Sequence, residues 1–113
     1  EPAGEPAADQ PVVMAYSPVD PEVAEGVRDA ALAVDGVKAL YGGRVGEIAM
    51  YLPNQRIEGL RAITRDGKTG FEVHFTFDVA SGKDIPTVAE NVRAAVLEAA
   101  DVDFVDVVAG DAE

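Results

Sequence analysis

The feature that most constrains the fold is an alternating stretch near the middle of the chain, from Gly70 to Val79. Its apolar residues are Phe71, Val73, Phe75, Phe77 and Val79, and its polar residues are Glu72, His74, Thr76 and Asp78. Successive side chains of a β-strand point to opposite faces, so this pattern predicts a strand with one core-facing and one solvent-facing side. A shift of one residue would turn three phenylalanines toward water, which fixes the register of the strand.

The residues before this stretch supply a partner strand. A run from Arg56 to Arg65 is separated from it by Asp66-Gly67-Lys68-Thr69. An Asp-Gly pair between two such runs is a strong hairpin signal, because these residues accept the positive φ angles of a tight turn. We therefore expect an antiparallel hairpin, with Arg61 and Arg65 on the same side of its first arm.

Two helices are predicted on either side of the strand region. The first runs from Pro21 to Val34, with Asp20 as its N-cap, and Gly36 follows its end. The second begins after Asp84 and carries an apolar stripe at helical spacing. The stripe consists of Ile85, Val88, Ala89, Val92, Val96 and Ala99.

Shorter apolar runs at Val37–Tyr41, Ile48–Leu52 and Phe104–Val108 complete the list of predicted strands. Glycines break the chain after the first run, and Pro53-Asn54 turns it after the second. The order of elements predicts an α/β (α+β) fold. We expect a small, mostly antiparallel or mixed sheet of about four to five strands, with two helices packed on one face.

A chain of 113 residues fits one globular domain with a modest core. Residues 1–11 contain no large apolar side chain, which predicts a disordered acidic leader. The run of residues 12–18, Val-Val-Met-Ala-Tyr-Ser-Pro, is expected either to form an edge strand or to lie against the domain. We expect the single domain to cover residues 12–109 and a short acidic tail to cover residues 110–113.

Composition excludes several classes of site. The chain has no cysteine, which excludes disulfides, thiolate zinc sites and cysteine nucleophiles. No run reaches the roughly 18 apolar residues of a membrane span, so we expect a soluble protein without direct membrane insertion. The net charge is −12, although residues 37–75 hold six basic and four acidic side chains. An acidic chain repels nucleic acid and anionic lipid at long range.

The sequence offers no convincing catalytic, cofactor or metal site. His74 is the one histidine, and alternation places it on the solvent-facing side of its strand, where a surface role is expected rather than acid–base catalysis. Asp101, Asp103 and Asp106 lack the glycine and terminal glutamate of a calcium loop. Neither of the phosphate-binding glycine patterns is present.

The segment Gly43-Arg44-Val45-Gly46 has the G-x-x-G pattern that clamps nucleotides in the KH module, but here it is expected to join two strands rather than two helices. The candidate interaction surface consists of Arg44, Arg56, Arg61, Arg65 and Lys68. These cations either bind nucleic acid or serve to neutralise nearby acids and protect an edge strand. The overall charge opposes nucleic-acid binding.

The order and spacing of three segments match a known family over about residues 22–108. The segments are "AALAVDGVKALYGGRVGEIAMYLPNQRIEGLRAI", "DIPTVAENVRAAVLEA" and "VDFVDVVAGD". Together they resemble the alkaline-shock proteins, a family of bacterial envelope-stress-response proteins related to the Gram-positive general stress proteins. "YLPNQRIEG" and the acidic, alanine-rich character resemble the actinobacterial branch.

The resemblance implies a small α/β domain without known enzymatic activity, catalytic residues or cofactors. It also implies a cytoplasmic, self-associating protein, which in some members is held beneath the membrane by a separate integral-membrane anchor. We therefore expect a homo-oligomeric stress-response scaffold or adaptor at the inner face of the membrane, connected through a membrane-anchored protein partner. The alternative is a nucleic-acid-binding module that uses Arg44 and the basic hairpin.

Overall fold

The computed structural model describes residues 19–113 and shows an α+β fold with two helices and six strands, which confirms the predicted fold class. The elements are α1 (Pro21–Leu32), β1 (Val37–Leu40), β2 (Ala49–Leu52), β3 (Gln55–Glu58), β4 (Leu60–Arg65), β5 (Lys68–Phe77), α2 (Ile85–Ala99) and β6 (Phe104–Ala112). A 3₁₀ turn at Val79–Ser81 links β5 to α2. The predicted leader of residues 1–11 and the apolar run of residues 12–18 lie outside the described residues.

The long strand β5 is the centre of a mixed four-stranded sheet. On one side, β6 runs parallel to β5 along nearly its whole length. On the other side, β4 and β1 lie end to end, and both are antiparallel to β5. Leu60 of β4 is opposite Val73, and Leu40 of β1 is opposite Phe75. The sheet is therefore mixed because its last strand is parallel.

The predicted continuous strand Arg56–Arg65 is wrong, since the chain breaks at Gly59. Residues 55–58 form β3, which pairs with β2 in a separate two-stranded sheet instead of with β5. Gly59 has a φ of 86°, its N–H donates to Ile48 O at 2.8 Å, and its carbonyl accepts from the His74 N–H at 2.8 Å. The β2–β3 hairpin is thus an insertion between two halves of one sheet edge.

The alternation in β5 produces the core that the sequence predicts. Phe71, Val73, Phe75 and Phe77 are buried on one face of the sheet. They form one apolar cluster with α1, through Ala24, Val27 and Ala31, and with α2, through Val88, Val92 and Val96. Burying a side chain of this size contributes about 1.5–3 kcal/mol. Both helices therefore pack on the same face of the sheet.

The end of β5, the start of α2 and the end of β6 differ from the prediction. Val79 is 61% exposed because β5 ends at Phe77 and the Asp78 carboxylate accepts from the Ala80 N–H, which starts the 3₁₀ turn. Ile85, the first residue of α2, is also exposed. In contrast, β6 continues beyond the predicted end through the residues expected to form a tail, and Glu113 exchanges backbone hydrogen bonds with Phe77 and Val79.

The predicted Asp-Gly turn and the predicted N-caps at Asp20 and Asp84 are confirmed. Asp66 and Gly67 alone form the β4–β5 turn, with φ angles of 54° and 76°, so the loop is shorter than the four residues expected. Asp20 accepts a hydrogen bond from the Glu22 N–H at the start of α1, and Asp84 accepts one from the Thr87 N–H at the start of α2. Local side-chain chemistry therefore determines where these elements begin.

Candidate functional site

The face of the sheet opposite the helices, called the outer face below, carries most of the candidate residues. It includes Arg61 and Arg65 from β4, Lys68, Glu72, His74 and Thr76 from β5, and Phe104, Asp106 and Val108 from β6. These residues alternate with the buried residues of the same strands. The hydrophobic cluster that binds both helices lies on the other face, so the helices leave the outer face uncovered.

His74 lies on the outer face as predicted, but only 13% of its side chain is exposed. Its Nε2 atom is 3.0 Å from Oε1 of Glu72. The neighbouring Thr76 is buried, although it is on the same face. A Cβ atom on Gly110 would overlap the ring of Tyr41, so this ring reaches from the β1 side of β5 to β6.

The backbone of His74 holds the two halves of the sheet edge together. Its carbonyl accepts from the Tyr41 N–H at 2.9 Å, just after β1, and its N–H donates to the Gly59 carbonyl, just before β4. Both contacts are on the edge where the β2–β3 hairpin is inserted. His74 therefore has a structural position at the junction of β1, β4 and β5, which alternation alone did not predict.

Three of the five candidate cations are paired with carboxylates. Arg61 is 3.3 Å from Glu72, and Arg56 forms an ion pair with Glu58. The pKa of Arg56 is raised, chiefly by a hydrogen bond with Tyr51 and also by the charge of Glu58. Binding of nucleic acid would require these cations to be available for phosphate, but carboxylates of the chain already pair with them.

Arg65 is the most engaged of these cations. Its guanidinium lies 2.6 Å from the Asp106 carboxylate and 4.6 Å from the centre of the Phe104 ring. The hydrogen bond to Asp106 raises the pKa of Arg65. The Phe104 ring covers Gly70, where a Cβ atom would lie 2.7 Å from it, so the absence of a side chain at Gly70 makes room for this stack.

The other two cations, Arg44 and Lys68, are exposed and form no ion pair within residues 19–113. Lys68 is beside the β4–β5 turn, and Arg44 is in the loop between β1 and β2. The structure thus brings Arg61, Arg65 and Lys68 to the outer face, since Lys68 is the cross-strand partner of Arg65. Arg56 is on the separate β2–β3 hairpin and Arg44 is in a loop, so the five cations do not lie on one face.

The G-x-x-G segment joins two strands, as expected, and it binds an anion from its own chain. The carboxylate of Glu47 accepts from the Val45 N–H at 3.2 Å and lies against Gly43. Hydrogen bonds from the backbone N–H groups of Glu47 itself and of Val45 lower the pKa of this carboxyl. An internal carboxylate therefore occupies the loop that in the KH module holds a nucleotide backbone.

The acids considered as metal ligands are also engaged with the chain. Asp103 accepts from the Thr69 N–H at 3.1 Å, and Asp106 pairs with Arg65. Within residues 19–113, no three acidic or histidine side chains converge to hold a metal ion. The same part of the chain contains no helix with the length and apolar character needed to cross a membrane.

The outer edge of β6 is a surface that the sequence did not reveal. The Asp103 N–H donates to Thr69 O, so by alternation the backbone groups of Phe104, Asp106 and Val108 point away from β5. Within the described residues, no strand pairs with this edge. The nine residues of β6 contain no lysine or proline, which commonly protect edges, although the register shifts once near Gly110.

A groove of about 610 Å³ lies at the opposite side of the sheet, between the start of α1, the end of α2 and the β4–β5 hairpin. Its apolar lining includes Val19, Val23, Ala62, Phe71 and Val102. Asp20 and Asp101 are the charged residues that line it. The groove contains no histidine, lysine or arginine, so its chemistry is that of an apolar binding surface.

Comparisons with protein-family models, curated proteins and solved structures found no match to this chain. The outer face, the edge of β6 and the apolar groove are therefore interpreted from their own chemistry. The outer face carries charges of which Arg61 and Arg65 are paired with carboxylates, the edge of β6 presents unpaired backbone groups, and the groove is lined mainly by apolar side chains.

Proposed function

We propose that the protein is a non-enzymatic scaffold or adaptor of the envelope or general stress response. It self-associates and is connected to the cytoplasmic side of the membrane through a membrane-anchored protein partner. The resemblance to alkaline-shock proteins supports the stress-response and membrane parts of this proposal. The unpaired edge of β6 is the observation that supports self-association.

An unpaired edge of this length favours strand addition. Two copies related by a two-fold axis can pair their β6 strands antiparallel and join two four-stranded sheets into one. Each backbone hydrogen bond formed in this way contributes about 0.5–1.5 kcal/mol. The Arg65–Asp106 ion pair reduces the negative charge at the middle of the edge, which lowers the repulsion between two copies with a net charge of −12 each.

The proposal predicts that Val108→Lys weakens self-association by more than about tenfold, because a lysine on each edge strand discourages the pairing of the two strands. Val108 is on β6 and is 40% exposed. Val45→Lys is the matched control, since it makes the same change in charge in an exposed loop, at a residue that is 86% exposed. The measurement is the mass of each variant by light scattering over a concentration series.

A wild-type chain that stays monomeric at every concentration would remove the self-association mechanism, as would equal weakening by Val45→Lys. The adaptor part has a separate readout in the native cell, where crosslinking and mass spectrometry are expected to recover an integral-membrane protein attached to the chain. Recovery of the chain crosslinked only to itself would contradict the adaptor role and leave self-association standing.

A further inference from the structure

The groove beside β4 exposes part of a strand edge. Ala62, Ile63 and Thr64 are consecutive residues of β4, and all three line the groove. Alternate side chains of a strand point to opposite faces, so the backbone of β4 must form part of the wall. Among the described strands, β4 pairs with β5 alone. The groove therefore offers backbone hydrogen-bonding groups together with apolar side chains.

The chemistry of the groove selects its occupant. Val23 is exposed where it lines the groove, and Phe71 and Val102 extend the apolar surface inward. Asp20 and Asp101 are its charged lining residues, so an acidic segment would meet like charges there. The groove thus suits an uncharged, extended, apolar segment that supplies its own backbone partners.

One segment of this chain is uncharged and largely apolar, and in sequence it shortly precedes a residue that lines the groove. Val19 lines the groove and is the first described residue. The six residues between Pro11 and Pro18, Val-Val-Met-Ala-Tyr-Ser, carry no charge, and β4 also has six residues. An extended segment of this length spans about 20 Å, which is the length of such a strand. The acidic leader before Pro11 has no large apolar residue.

We propose that residues 12–16 dock in this groove and add as a strand to the unpaired edge of β4. The short connection through Ser17 and Pro18 keeps the segment at a high effective concentration, so modest contacts are sufficient. Docking covers Val23 and closes the β4 edge. It leaves β6 as the longest unpaired edge of the four-stranded sheet. This inference is independent of the proposed self-association, because it concerns the opposite edge.

The absence of cysteine makes disulfide trapping a direct test in the full chain. Met14→Cys is combined with Ala62→Cys or with Thr64→Cys, two exposed groove positions on the same face of β4. Met14→Cys with Val45→Cys is the matched control, since Val45 is in an exposed loop remote from the groove lining. The rate of disulfide formation is followed by mass spectrometry of unreduced peptides.

At least one groove pair is expected to form an intramolecular disulfide about tenfold faster than the control pair, because docking brings the two Cα atoms within bridging range. Adding Val12→Asp, which by alternation lies on the same face of the docked strand as residue 14, is expected to slow that reaction severalfold, since a third carboxylate then enters beside Asp20 and Asp101. Thermal melting confirms that each variant is folded. Hydrogen exchange of the cysteine-free chain gives a second readout, in which Val12→Asp is expected to speed exchange of the β4 amides.

Equal rates for the groove and control pairs would overturn the proposal. Disulfides that join two chains would also overturn it, and they would assign the groove to a second copy. Because the Val108→Lys experiment reports on β6 alone, the two proposals can fail separately.

Discussion

At the scale of individual residues, Gly59 decides how the strands connect. Its positive φ turns the chain from the β2–β3 hairpin into β4. A Cβ atom at this position would lie 2.8 Å from the carbonyl oxygen of His74 and 3.0 Å from the amide nitrogen of Tyr41. Both contacts are with backbone, which cannot move without disturbing the pairing of β1 and β5. A glycine at this position is therefore a requirement of packing as well as of conformation.

We predict that Gly59→Ala destabilises the protein more than Gly67→Ala. Both glycines have positive φ, which costs about 1–2 kcal/mol for alanine, but a Cβ atom on Gly67 would meet nothing within 4 Å. Overpacking at Gly59 adds about 1–3 kcal/mol. Urea denaturation of the two variants measures the difference in the free energy of unfolding. Equal values would show that conformation alone explains the glycine at position 59.

At the scale of single elements, the start of α2 depends on one carboxylate. Asp84 accepts hydrogen bonds from the hydroxyl and the N–H of Thr87 at 2.9 and 3.1 Å. The side-chain hydrogen bond, followed by the backbone one, lowers the pKa of Asp84. A carboxyl whose pKa is lower in the folded state stabilises the fold above its unfolded pKa and loses this effect as pH falls through the folded value.

Asp84→Ala is therefore expected to lower stability at neutral pH, and its difference from wild type should shrink as pH falls below the ordinary aspartate value of 3.8. Glu98→Ala, which removes an exposed carboxylate from the same helix, is the control and should track wild type. Thermal melts across the pH range give the measurement. A constant difference between Asp84→Ala and wild type at all pH values would contradict the capping role of the carboxylate.

At the scale of the whole molecule, charge separates the candidate functions. The chain carries a net charge of −12, and three of its five candidate cations are paired with carboxylates. The chain therefore repels nucleic acid at long range, and the three paired cations are already in contact with carboxylates of the chain. The distribution of charge therefore opposes nucleic-acid binding.

We predict no binding of single-stranded or double-stranded RNA at low ionic strength, where phosphate contacts are strongest. The measurement is a fluorescence titration of wild type and of the double variant Arg61→Glu/Arg65→Glu. The two chains should behave alike. Binding by wild type that weakens with added salt and disappears in the double variant would restore the nucleic-acid alternative.

Local signals predicted much of the fold. The alternation of β5, the Asp-Gly turn and the caps at Asp20 and Asp84 depend on neighbours within a few residues, so they can be identified from one sequence. The alternation also placed His74 on the correct face. It could not show that only 13% of the His74 side chain is exposed, because this burial depends on strands that are brought together by long-range pairing.

The sequence by itself determined the helices, the core face of the central strand and the tight turn, because propensity, periodicity and turn chemistry act locally. Only the tertiary structure decided that Gly59 divides a strand, that β6 pairs in parallel, and that Arg65 meets Asp106. Each of these depends on residues distant in sequence, whose approach is determined by packing. The two candidate interaction surfaces, the β6 edge and the β4 groove, arise from the same long-range pairing.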